Sequence, residues 1–202
     1  MPAFDLHCPL LSLPHAFRIT LANVPAKASY LSAAMEQRAT WRSRLSASRG
    51  PRVGLMWTGN PHHVNDRHRS VPIESLRPLV QSGVGTFYSL QKEYRSDGER
   101  QLAVSCGIAD LSRDIGDFDS TAGLVAELDL IISVDTSMAH LAAALGRPTW
   151  VLLPLSPDWR WLLQREDSPW YPTVRLFRQE QAGDWTHPVS SIRTALAGVT
   201  AS

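Results

Sequence analysis

The stretch Ser133-Val134-Asp135-Thr136-Ser137-Met138-Ala139-His140 joins a buried type of strand to a carboxylate and then to the start of a helix. Small residues at Thr136 and Ser137 let an anion approach the free N–H groups and the positive end of the helix dipole. The plain alternative is that Asp135 or Thr136 simply caps the helix, which is the commoner case at a strand–helix junction. His140 lies one turn inside and faces either the site or the core. A second stretch runs Thr58-Gly59-Asn60-Pro61-His62-His63-Val64-Asn65-Asp66-Arg67-His68-Arg69-Ser70. Its histidines and aspartate suggest a metal, but they fit no HExxH or HxH frame, and that reading is rejected. Arg67 and Arg69 have the planar forks that match phosphate oxygens, although a basic loop is most often only solvated. No Walker loop, GxGxxG or GxSxG elbow occurs. Asp66, Asp158 and Asp167 are available acids, and no motif singles one out as a general base.

Composition bounds the partners. The chain has 202 residues, 44% hydrophobic and 19% charged, as in a soluble globular protein that buries a sizeable core. Twenty basic residues against nineteen acidic ones, a net charge of +1, argue against nucleic acid as a partner. No apolar run is long enough to cross a bilayer, and the start from Met1 to Pro14 lacks the pattern of a signal peptide. Cys8 and Cys106 form no CxxC pair or disulfide framework, which points to a reducing, cytoplasmic home. Seven Trp and fourteen Pro are unusual, and Trp57, Trp150, Trp159, Trp161, Trp170 and Trp185 cluster with Pro61, Pro148, Pro154, Pro157, Pro169 and Pro172. They build either structural rims or rigid pocket walls, and composition leaves both open.

Hydrophobic periodicity supplies the elements that must hold these residues. Residues 1–30 read as an irregular ordered arm packing against something, Tyr30–Leu45 as a helix, and Ser46–Pro51 as a linker, with a boundary near residue 50. Apolar strands are expected at Val53–Trp57, Thr86–Leu90, Leu130–Val134, Thr149–Leu153 and Val174–Phe177, with a weak one at Ala109–Leu111. Helices alternate with them at Ile73–Val80, Gly98–Ala103, a segment capped by Asp119 or Ser120, Asp135–Leu145 and Val189–Leu196. Strands of this kind, too apolar to face water, imply an α/β fold with a parallel sheet covered on both faces. Right-handed crossovers put every strand's C-terminal end on one edge. The loops leaving that edge are Thr58–Ser70, Gln91–Asp97, Asp135–Met138 and Pro154–Ser168, which are also the most polar.

The segment from Thr121 through Val134-Asp135-Thr136-Ser137 to Pro148 resembles the nucleotide-sugar-binding half of family 9 glycosyltransferases, the lipopolysaccharide heptosyltransferases of two-domain GT-B fold. The stretches Phe4–Pro14, Gly54–Pro61, Asn65-Asp66-Arg67, Ser89–Lys92 and Pro157–Pro172 extend the likeness, closest to a bacterial subgroup in which this module follows tetratricopeptide repeats. The resemblance implies a Rossmann-like sheet over residues 51–202, preceded by an interdomain arm at 1–50 that is the remnant of a missing N-terminal half. It implies that amides at Asp135, Thr136, Ser137 and Met138 meet the donor's diphosphate. Arg69, three residues before Pro72, matches a basic residue that meets a phosphate, where the family commonly has lysine. Gln91 and Lys92 match the strand-end loop near the nucleoside. Thr58, Gly59, Asn60, Asn65, Asp66, His140, Asp158 and Arg160 complete the expected donor site. Ser137 stands where the family usually has glycine. The implied chemistry is glycosyl transfer from a nucleoside-diphosphate sugar without a metal ion or cofactor. The acceptor site and base would come from an N-terminal acceptor domain or a repeat-containing partner. A nucleotide-binding or interaction module without turnover is the alternative.

Overall fold

The computed structural model describes residues 3–199. A short 3-10 turn at Leu10–Ser12 leads into α1 (Leu13–Ala16), and α2 (Met35–Arg44) follows. The regular part then runs β1 (Arg52–Met56), α3 (Asp66–Arg69), α4 (Ile73–Val80), β2 (Thr86–Ser89), α5 (Asp97–Ser105), β3 (Ala109–Asp110) and α6 (Phe118–Ala126). It finishes with β4 (Leu130–Val134), α7 (Ser137–Ala144), β5 (Thr149–Leu153), β6 (Val174–Arg178) and α8 (Thr186–Val199).

The six strands form one parallel sheet in the order β3-β2-β1-β4-β5-β6. The expected α/β Rossmann-like fold is thus observed. Chain order reverses between β1 and β4, with Gly54 opposite Ile131 and Leu55 opposite Ile132. Crossovers leave β1 and β4 towards opposite flanks, which opens a crevice above their C-terminal ends. Side chains alternate through the sheet. Val53, Leu55, Leu130, Ile132 and Val134 pack with α4, α5 and α8, through Leu76, Leu79, Ala103 and Ile192. Ile131 and Leu90 face α2 and α6 through Trp41, Leu124 and Leu128.

Several local expectations are corrected. The helix expected from Tyr30 starts at Met35, because the Tyr30 and Leu31 amides both donate to the Ala144 carbonyl at 3.0 Å and hold that segment extended. The cap of α6 is Asp117, whose carboxylate accepts from the Ser120 amide at 2.9 Å, so Asp119 and Ser120 fall in the first turn. The last helix begins at Thr186 instead of Val189, started by Asp184, whose Oδ1 accepts from the Thr186 amide at 2.8 Å. The arm packs less than expected. Leu6 and Leu11 are more than nine-tenths exposed, whereas residues 28–31 pack against the end of α7 and Gly146; Met1 and Pro2 lie outside the described residues.

By contrast α2 is tightly seated on α6. Trp41 is buried, and its indole N–H donates to the Ser120 carbonyl at 2.8 Å. The backbones approach so closely that a Cβ at Gly123 would lie 2.9 Å from the carbonyl carbon of Gln37. Gly→Ala inside a helix ordinarily gains about 1 kcal/mol. Here overpacking costs about 1–3 kcal/mol, and the backbone of α2 cannot swing aside as a side chain would. Gly123→Ala is therefore expected to lower the urea midpoint at unchanged slope; a raised midpoint would show that the two helices are not held at this distance.

Candidate functional site

The crevice is built from three strand ends. After β1, Trp57 is buried and its indole N–H donates to Glu99 Oε1 at 2.8 Å, which fixes the exit of the strand. Asn65 and α3 then bring Arg69 back over the sheet edge, where its Nη1 donates to the Asp135 carbonyl at 2.7 Å. Behind it the buried Asp66 carboxylate accepts from Arg95 and from Ser70 Oγ, and lies 3.5 Å from Arg69 Nε. A Cβ at Gly59 would come within 2.5 Å of Arg69 Nη2 and 2.9 Å of Asp66 Oδ1, so glycine leaves room for this brace.

After β4 the chain passes Asp135 and enters α7 through Thr136, whose backbone is extended at φ −140 and ψ 172. Thr136 occupies the cap position, yet its hydroxyl lies 3.2 Å from Ser133 Oγ and caps nothing. The expectation that Asp135 or Thr136 merely caps the helix is thereby corrected. The first internal bond runs from the Ala139 amide to the Thr136 carbonyl at 3.1 Å. Among the described residues the amides of Ser137 and Met138 have no acceptor. An open first turn carries roughly half a positive elementary charge.

This helix start borders a cleft of about 290 Å³, with Asn65, Arg69 and His63 on one wall and Pro154, Ser156, Pro157, Asp158 and Arg160 on the other. Asp135, Thr136, Ser137 and His140 form its floor. Two guanidinium groups thus face two carboxylates. Burial would raise the Asp158 carboxyl, but the Arg160 amide and guanidinium outweigh it and hold the group below the usual carboxylate range. His140 stacks on Trp161 with centroids 5.2 Å apart, and its Nδ1 lies 3.0 Å from the Tyr171 hydroxyl. Its Nε2 is 3.9 Å from Asp135 Oδ1.

The structure therefore gathers Asn65, Arg69, Asp135, Thr136, Ser137, His140, Asp158 and Arg160 around one space. Met138 does not line the cleft, since its side chain is buried against α6. Gly59 and Asp66 stand behind Arg69. Thr58, Asn60, Gln91 and Lys92 are not brought to this cleft. Thr58 and Gln91 are buried and bonded to each other, and Thr58 borders a separate hollow beside Ser96 and Glu99. Asn60 Oδ1 closes a surface turn by accepting from the His62 amide at 2.9 Å. Lys92 Nζ donates to the Gly116 carbonyl at 2.7 Å. Sequence reasoning had Pro154 and Pro157 only as possible pocket walls on a loop leaving the ligand edge, and missed His63 and Ser156 as lining residues. It missed the role of Trp161 and Tyr171 in orienting His140, which no spacing encodes.

Residues 116–161 match the family model of glycosyltransferase family 9 (heptosyltransferase), a span that carries α6, β4, α7, β5 and the Trp159–Trp161 turn. Protein FlbA of Caulobacter vibrioides is 29% identical over 208 aligned residues, covering 98% of this chain and 34% of that protein. Among solved structures, the glycosyl transferase family 9 protein of Veillonella parvula aligns with a TM-score of 0.62 at 9% identity, over 87% of this chain and 55% of that one. The E. coli ADP-heptose lipopolysaccharide heptosyltransferase II aligns with a TM-score of 0.53 at 16% identity, over 85% of this chain and 53% of that one. E. coli heptosyltransferase WaaC with ADP gives 0.51 at 15% identity, over 80% of this chain and 48% of that one. The chain thus spans about a third of the curated relative and about half of these solved structures. At these identities the structural likeness shows the fold, and the resemblance to family 9 is borne out over the matched span.

The pH behaviour of the cleft follows from His140. Burial pushes its imidazole below the ordinary 6.5, and Arg160 adds to this, while Asp135 and Asp158 oppose it. Below 6.5 the unfolded chain binds a proton that folded His140 does not, so stability falls as pH drops through that value. The His140 ring is expected to titrate below 6.5 by NMR, and His140→Gln to flatten the fall in stability on that limb; a ring titrating above 6.5 would reverse the sign.

Proposed function

We propose that this chain is the nucleoside-diphosphate-sugar-binding half of a GT-B glycosyltransferase. The observation that carries the reading is the uncapped start of α7, whose Ser137 and Met138 amides lack acceptors among the described residues, beside a cleft lined by Ser137, Arg69 and Arg160. A diphosphate seated there accepts both amide hydrogens and lies on the positive end of the helix dipole. In transfer, the bond between the sugar's anomeric carbon and the diphosphate oxygen breaks, and a bond to the acceptor oxygen forms. Negative charge builds on the departing diphosphate, where amides and guanidinium groups are already oriented, so no resident metal ion or cofactor is invoked. The acceptor's proton passes to a base supplied, with the acceptor site, by an N-terminal acceptor domain or a repeat-containing partner facing the cleft. Among the described residues no helix is long and apolar enough to cross a membrane. The chain works in the cytoplasm on this reading, where Cys8 and Cys106 remain thiols.

Structures of E. coli WaaC hold ADP and ADP-2-deoxy-2-fluoro heptose, which makes ADP the first nucleotide to test. Ser137→Pro deletes one amide donor at the first helical position, where proline is tolerated, and the extended backbone of Thr136 accepts a following proline. A hydrogen bond to a charged group is worth about 1.5–3 kcal/mol. Calorimetry with ADP is therefore expected to show a loss of about ten- to a hundredfold in affinity at unchanged Tm. Unchanged affinity in Ser137→Pro would overturn the seat. Arg69→Ala should weaken ADP more than adenosine, and equal losses would remove Arg69 from the phosphate.

A further inference from the structure

The loop after β5 holds three tryptophans with opposite fates. Trp161 is completely buried beneath His140, whereas Trp159, two residues earlier, is 64% exposed. A 3-10 turn at Trp159–Trp161 separates them, capped by Asp158, whose Oδ1 accepts from the Arg160 amide at 3.0 Å. The turn ends at Leu162, with φ 54 and ψ −166, a backbone region that glycine favours and that costs a leucine roughly 1–3 kcal/mol. Trp170 stands edge-on to Trp159, with centroids 6.0 Å apart and planes at 89°, and its indole N–H donates to the Arg160 carbonyl at 2.9 Å. The Arg160 guanidinium lies 4.6 Å over the Trp159 ring while its Nη1 donates to Asp158 Oδ1 at 2.8 Å. The result is a stiff aromatic corner with an ion pair on its rim. Both members of that pair, Asp158 and Arg160, also line the cleft at the start of α7.

We infer that Trp159, Trp170, Asp158 and Arg160 form a binding platform for a pyranose ring at the mouth of the cleft. A pyranose has an apolar C–H face that covers an indole, and a rim of hydroxyls that both donate and accept. Arg160 supplies donors and Asp158 acceptor lone pairs beyond the bond they share with each other. The Arg160 guanidinium lies over one face of the Trp159 ring, so the sugar's C–H face takes the other, on an indole that is 64% exposed. The ring belongs either to the donor's sugar or to an acceptor glycan. Its placement beside a diphosphate rests on the donor-binding reading; the affinity of the corner for a sugar does not.

The test uses the full chain in two arms. In the first, calorimetry compares bare ADP, UDP, GDP and dTDP with their sugar conjugates; in the second, the protein is applied to an array of immobilised pyranose glycans. The expected result is that a sugar conjugate binds more tightly than its bare diphosphate, or that glycans are retained. Trp159→Ala then removes about tenfold of that sugar-dependent binding at unchanged Tm, and Trp159→Phe restores part of it. A gain over bare diphosphate identifies the donor's sugar, and retention on the array identifies an acceptor glycan. Equal losses for bare and conjugated nucleotides would mean that the indole stacks on the base, and would overturn the platform. Silence in both arms, or sugar binding that survives Trp159→Ala, overturns it as well. Failure of bare diphosphates alone, with glycans still retained, would instead count against the donor-binding reading.

Discussion

The bond from Arg69 to the Asp135 carbonyl ties the loop after β1 to the end of β4, and the geometry of the cleft depends on it. The two strands are neighbours in the sheet but are separated in sequence by β2, β3 and four helices. Sheet order alone puts their ends side by side without fixing how their loops face each other. Arg69 does so while engaged on its other side by Asp66, which in turn takes Arg95 and Ser70. A guanidinium held this way loses little further entropy when an anion arrives. The cost is a carboxylate almost fully buried at Asp66, offset by several partners.

The same economy is visible at α7. A capping hydroxyl or carboxylate stabilises a helix by about 0.5–2 kcal/mol, and Thr136 stands in the position to supply one. Its hydroxyl is instead directed to Ser133, and the first turn stays open. Asp117 and Ser96 do cap α6 and α5, so caps are available to this fold where the edge is merely structural. His140 extends the argument. A neutral ring, stacked on Trp161 and held near the Tyr171 hydroxyl, leaves the charges lining the cleft to the Arg69 and Arg160 guanidinium groups and the Asp135 and Asp158 carboxylates.

How much of this was legible in the sequence depends on range. The largely apolar runs Leu130–Val134 and Thr149–Leu153 announce buried parallel strands, because burial of this kind is set by neighbours in sequence. The Asp-Thr-Ser turn after Val134 announces a helix start, whereas its lack of a side-chain cap is visible only in the structure. Asp158 and Arg160 were reachable for the same reason, since a polar loop after a buried strand must leave at the ligand edge. Gln91 and Lys92 failed as cleft residues because their loop is drawn down by long-range bonds to Thr58 and to the Gly116 carbonyl. Nothing local to those residues encodes such partners. Likewise Asp119, Ser120 and Asp117 are all plausible caps for α6 by residue type, and only backbone geometry selects Asp117.

The segment before residue 50 is tied to the site through the opposite end of β4. Glu127 sits just after α6 and just before that strand, nearly buried, with Arg38 and Arg42 of α2 bonded to its two carboxylate oxygens at 2.8 and 2.9 Å. Hydrogen bonds and charge from these arginines outweigh burial and hold the Glu127 carboxyl below its usual range. Removing α2 would leave that charge unpaired and uncover Leu124 and Leu128, on which β4 rests. A displaced β4 moves Asp135 and the open turn of α7 with it. The helix that precedes the regular alternation of strands and helices is therefore part of what aims the amides of Ser137 and Met138, although it lies at the far end of the strand from them.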